Sequence, residues 1–134
     1  MSHPVMFDED DPLLARVRQL AFAFPGAQEK ISHGRPVMFT TKVFCHYGGS
    51  IKVDGQYVQH PQSIIVKLPE DERRSLLTEP RCYAPAYLAA AGWVGVDLDE
   101  HTDWDEVAEL LDESYRLTAP RSLVAEHDRM YGQR

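Results

Sequence analysis

Two periods of apolar residues divide this chain. From residue 13 to residue 24 the set Leu13, Leu14, Val17, Leu20, Ala21 and Phe24 recurs at i, i+3, i+4 and i+7, which predicts an amphipathic helix. Asp11-Pro12 predicts its start, because an Asp oxygen accepts from unpaired first-turn N–H groups and Pro is tolerated at the first helical position. Pro25-Gly26 predicts its end.

From Gln28 the period falls to two. Residues 28–32 predict a first strand, with His33-Gly34-Arg35-Pro36 as a turn or short loop. Val37, Phe39 and Thr41 alternate with Met38, Thr40 and Lys42, and Val43, Cys45 and Tyr47 then alternate with Phe44 and His46. The pattern breaks at Thr41-Lys42, which predicts a bulge or turn inside a meander. Tyr47-Gly48-Gly49-Ser50 reads as a tight hairpin, and Asp54-Gly55 is a further turn signal. Residues 56–62 are polar and ambiguous. Ile64, Ile65 and Val66 predict a central strand over residues 63–68.

Pro69 followed by Glu70, Asp71 and Glu72 predicts a second helix over residues 69–78. An irregular stretch leads to a last strand at residues 92–98. A third helix opens at residues 102–106, where Asp103 and Glu106 have capping-box spacing, buries Trp104, Val107, Ala108, Leu111 and Tyr115, and ends at Pro120. Strands gathered together with helices near the chain ends predict an α+β fold, an antiparallel sheet with helices packed on one face. The length of 134 residues fits a single domain. Its core spans about residues 12–123, and the acidic segment 7–11 and the polar segment 125–134 read as frayed termini.

Fourteen Lys and Arg against twenty-one Asp and Glu give a net charge of -7, which disfavours indiscriminate attraction to phosphate backbones. The distribution is uneven. Between Gln28 and Lys67 the cations Lys30, Arg35, Lys42, Lys52 and Lys67 face only Glu29 and Asp54. Between Asp97 and Glu113 nine acidic residues occur without a Lys or Arg. No basic segment precedes an apolar one at the N-terminus, and no apolar run approaches the roughly 18 residues of a membrane span, so a cytoplasmic protein without a membrane partner is expected. Cys45 and Cys82 lack CxxC spacing and read as small buried hydrophobes. Neither GxGxxG nor GxxxxGK[ST] occurs, and no cofactor is expected.

Several features in this order resemble the MmcQ/YjbR family of small bacterial proteins. They are Glu29 after the Pro-Gly stop, Gly34-Arg35-Pro36, Phe39, Phe44 before Gly48-Gly49, and Ile65-Val66-Lys67. Tyr83-Ala84-Pro85-Ala86-Tyr87, then Gly92-Trp93-Val94-Gly95-Val96-Asp97-Leu98, and Asp112-Glu113-Ser114-Tyr115 complete the set. The resemblance covers about residues 13–123. It implies a fold like that of the frataxin homologue CyaY and a double-wing DNA-binding motif, in an uncharacterised family without an assigned reaction.

A wing would present Lys30, Arg35 and Lys42 with turn N–H groups to phosphates, and His33 and His46 would add contacts. A second reading, a small-molecule or protein-partner domain, uses an aromatic pocket near Tyr83, Tyr87 and Trp93 with Glu29. A third, enzymatic and weakest, pairs Glu29 with His33 as acid and base, which requires that the two converge on one substrate. His33, His46 and His60 lack a metal-ligand spacing, and no metal site is assigned. The acidic run from Asp97 to Glu113 offers hard oxygen ligands, but a solvated helix face explains it without metal.

Overall fold

The structure, a computed structural model, describes residues 4–131. Helix α1 (Pro12–Ala21) precedes strands β1 (Gln28–Ser32), β2 (Arg35–Phe39), β3 (Val43–Val53) and β4 (Gln56–Lys67). Helix α2 (Glu70–Leu76), strand β5 (Cys82–Tyr83), a 3-10 turn (Ala89–Ala91), strand β6 (Trp93–Asp97) and helices α3 (Trp104–Thr118) and α4 (Arg121–Tyr131) follow. The strands form one antiparallel sheet in the order β1-β2-β3-β4-β6-β5. With its helices this is the expected α+β architecture.

Strand register decides which side chains share a face. Glu29, Met38 and Cys45 stand in one row, and Lys30, Val37, His46, Ile65 and Gly95 in the next. The first row faces the helices. There Met38, Cys45, Tyr47, Ile64, Val66, Val94 and Val96 form one core with Leu14, Val17, Val107, Leu111 and Tyr115. The opposite face carries a smaller cluster of Ile65, Tyr83 and Trp93, with Val43, Ile51 and Leu88 against it.

Polar side chains pin the helices to this frame. Asp11 caps α1 by accepting from Leu13 N–H at 2.9 Å, and also accepts from the buried Tyr47 hydroxyl at 2.5 Å. Tyr115 of α3 donates to the Pro25 carbonyl at 2.7 Å, tying α3 to the turn after α1.

Some expectations are corrected and others made definite. Gly48-Gly49 is not the hairpin turn, since β3 runs through it to Val53 and the chain reverses at Asp54-Gly55. A register shift between Tyr47 and Gly49 puts a bulge there, and Gly48 holds φ +83°, a conformation that suits glycine. The polar residues 56–62 belong to β4. The break in alternation after β2 is a bend at residues 40–42 with a register shift at Met38/Phe39, which sends both Phe44 and Cys45 into the helix-side core. Asp103 caps α3 by accepting from Asp105 and Glu106 N–H, but Glu106 pairs with Arg81 instead of closing a capping box. Pro120 ends α3 without ending the helical layer, because α4 follows, and Leu123 and Val124 pack on the core.

Candidate functional site

The face away from the helices, together with the long β3–β4 hairpin, holds most of the residues singled out in the sequence. β3 and β4 are eleven and twelve residues long, whereas β1, β2 and β6 have five. Their distal halves extend beyond the rest of the sheet, and residues 52–59 are exposed. The register places the tip of this hairpin at the same end of the sheet as the β1–β2 turn. Two projecting turns therefore flank one edge of the open face.

Arg35 opens β2 at that edge. Its side chain lies over Gly48, where a Cβ would collide with the guanidinium, and its Nη2 donates to Gln59. Nη1 is buried without a hydrogen-bond partner among the described residues, and burial lowers the guanidinium from its ordinary value. His33 sits in the adjacent turn at φ +52°, close enough for its charge to act on His46. His46 packs edge-on against Trp93 at 5.0 Å between ring centroids, and burial followed by His33 lowers its pKa to about 4. At neutral pH His46 is uncharged and supplies no cation to a phosphate.

Lys30 lies on the outer strand β1 with Nζ 4.6 Å from the Phe39 ring centre. Lys42 is exposed in the β2–β3 connection, at the far end of β2 from Arg35. The structure thus groups His33, Arg35 and His46 and leaves Lys42 apart.

The aromatic residues divide as well. Tyr83 is 7 % exposed and Trp93 9 %, both within the small cluster, whereas Tyr87 is 86 % exposed. Tyr87 adopts φ +68° and meets the Tyr57 hydroxyl on the hairpin, where Lys52 also lies over the Tyr57 ring at 5.6 Å. Glu29 is not with them. It stands on the helix side of β1, where both its carboxylate oxygens are taken up by Arg18, which donates to each at 2.7 Å.

Sequence reasoning missed the network that fixes Tyr83. His60 stacks on the Tyr83 ring at 4.0 Å between centroids, and its Nδ1 meets Asp97 Oδ1 at 2.7 Å. Ser63 donates to the His60 carbonyl at 2.8 Å, so the Tyr83 hydroxyl, 2.7 Å away, donates to Ser63 Oγ. Burial pushes the Tyr83 phenol up to about 12, which keeps that proton in place. The available signals were a Ser opening the apolar run Ser63-Ile64-Ile65-Val66 and a glycine inside the last strand. A Cβ at Gly95 would run into the Tyr83 ring.

Reactive chemistry finds little support. Cys45 and Cys82 are free thiols, and burial pushes them up to about 12 and about 11, which keeps both protonated. Among the described residues no group of three or more His, Cys, Asp or Glu is arranged to hold a metal ion. Among the same residues no helix is long and apolar enough to cross a membrane.

The fold has a solved counterpart in a crystal structure of a Deinococcus radiodurans protein described by the domain of unknown function DUF419. The two share 15 % identity and a TM-score of 0.58, over 90 % of this chain and 88 % of that one, a likeness of fold. No curated protein gives a significant match. The YjbR family model matches residues 22–117, from the end of the first helix through most of α3, and the chain therefore belongs to the YjbR family.

Proposed function

We propose that this chain is a non-enzymatic binding module that contacts the phosphates of duplex DNA through the open sheet face, the β1–β2 turn and the β3–β4 hairpin. The division of charge between the two sides of the sheet carries this reading. Of the two carboxylates between Gln28 and Lys67, Glu29 is turned to the helix side and held by Arg18, which leaves Asp54 at the hairpin tip. Lys30, Arg35, Lys42, Lys52 and Lys67 remain on the strands and their connections. The acids concentrate on α2 and α3, in Glu70, Asp71, Glu72, Asp105, Glu106, Glu109, Asp112 and Glu113. The sheet side can therefore meet a phosphate backbone while the acidic helices point away from it.

Exposed Tyr57 and Tyr87 beside Lys52 add an aromatic and cationic contact at the hairpin. Phosphate contacts of this kind give affinity without sequence readout.

Fluorescence anisotropy of a labelled random-sequence duplex, titrated with the protein at several salt concentrations, tests the proposal. The expected result is saturable binding that weakens with salt. Lys30→Ala and Lys52→Ala each reduce the slope of log K against log salt by about 0.9 if each lysine neutralises one phosphate, and Lys42→Ala, at the other end of the sheet, leaves the slope unchanged. No binding at low salt up to the ~10⁻⁴ M of weak non-specific binders would overturn the proposal.

A further inference from the structure

The β3–β4 hairpin carries two tyrosine rings that core packing does not explain. Tyr57 is 45 % exposed and Tyr87 86 %, whereas Tyr47, Tyr83 and Tyr115 are buried. Tyr87 is nevertheless firmly placed. Just before it, Ala86 N–H donates to the Ser50 carbonyl of β3 at 2.8 Å, and the Pro85 carbonyl accepts from Leu88 N–H at 3.3 Å and Ala89 N–H at 3.0 Å. Just after it, Leu88 packs against the small cluster of Ile65, Tyr83 and Trp93. These contacts hold Tyr87 at φ +68°, a left-handed conformation that a bulky residue keeps only where its surroundings impose it. The ring is thus fixed beside the hairpin and kept out of the cluster that its neighbour joins.

The two exposed rings meet at their edges. Their hydroxyls are hydrogen-bonded to each other, and the ring centres lie 6.2 Å apart with planes inclined by 31°. Tyr83, by contrast, has His60 stacked on it at 4.0 Å. Lys52 stands opposite Tyr57 in the strand register and holds its ammonium 5.6 Å from the centre of the Tyr57 ring. Two aromatic faces and a cation therefore lie side by side in the open.

We propose that this shelf stacks an unpaired nucleobase of single-stranded DNA, with Lys52 on the adjoining phosphate. The inference rests on the phosphate-binding reading above and adds to it a preference for strands whose bases are free. Tyrosine rings accept any base, because each base has a π face, and the cation beside them meets the negative charge that recurs at every nucleotide. A base inside a duplex keeps both faces against its neighbours and has none to offer Tyr87. An acidic protein surface would meet Lys52 but would leave the ring faces in water.

Fluorescence anisotropy with the full chain at low salt compares three labelled probes: an oligo(dT) strand of about twelve nucleotides, within the range of single-strand sites, an abasic strand of equal length, and a blunt duplex. The first two share their phosphates and differ only in their bases. Oligo(dT) is expected to bind about tenfold more tightly than the abasic strand, as one well-stacked base allows. Tyr87→Leu removes that difference and leaves binding of the abasic strand unchanged, whereas Tyr87→Phe, which keeps the ring, retains it. Equal binding of the two strands overturns the inference, as does a difference that survives Tyr87→Leu or is lost in Tyr87→Phe; in each case salt-sensitive duplex binding leaves the phosphate reading standing. Failure of all three probes to bind overturns both.

Discussion

His46 shows how one side chain's surroundings set its contribution. Its ring is held between the sheet and Trp93, and the imidazole ionises near 4 in the fold against 6.5 in an ordinary setting. Above pH 6.5 the ring is neutral in both folded and unfolded chains and the packing is fully present. Between 6.5 and 4 the unfolded chain takes up a proton that the folded one refuses, so stability falls as pH falls, by roughly 3 kcal/mol at the low end. His46→Gln removes this titration. Melting curves from pH 7.5 to pH 4.5 are expected to show a smaller loss for the variant than for the native chain, and parallel losses would contradict the assignment. The same neutrality removes His46 from the cations that the sequence offered to a phosphate.

At the scale of elements, one serine explains how α3 seats on the sheet. The register of β3 with β4 would pair Phe44 with Lys67, but Ser114 of α3 enters between them, donating to the Phe44 carbonyl at 2.6 Å and accepting from Lys67 N–H at 2.9 Å. Ser114→Ala leaves both backbone groups without that partner, at a cost of about 2 kcal/mol. The expected result is a lower denaturant midpoint with an unchanged slope, and an unchanged midpoint would show that the strands close up directly.

Such a contact is not legible in a sequence, where Ser114 is one polar residue on an otherwise clear helical stripe. Periodicity did give α1, β1, β2, β6 and the buried face of α3, because each follows a local rule that burial enforces. It failed where partners lie far along the chain. Gly48-Gly49 looks like a turn until register places Arg35 over one glycine and Tyr83 beside the other. Glu106 looks like a capping residue until Arg81 competes for it. α4 is amphipathic but short of strong apolar residues, and it is held by Leu123, Val124 and the His127–Asp112 contact. His33 and Arg35 lie together because they flank one turn, as their sequence proximity alone requires. Sequence spacing could not show that Glu29 turns toward Arg18, away from the aromatic residues.

The whole molecule is a sheet with unlike sides. A net charge of -7 argues against a DNA-binding surface only if the charge is spread evenly, and here eight acids lie on α2 and α3 behind the sheet, whereas Asp97, on the open face, is paired with His60. Screening over about 10 Å at 0.1 M salt limits how far those helices repel a phosphate held at the open face. The most direct test of this division is a two-dimensional amide NMR titration with a random-sequence DNA duplex at low salt. The account predicts shift changes confined to Lys30, the β1–β2 turn at His33–Arg35, and the hairpin around Lys52 and Tyr57, with α3 and α4 unperturbed and the changes reversed by added salt. Shift changes centred on α3 and α4, or none anywhere, would contradict it.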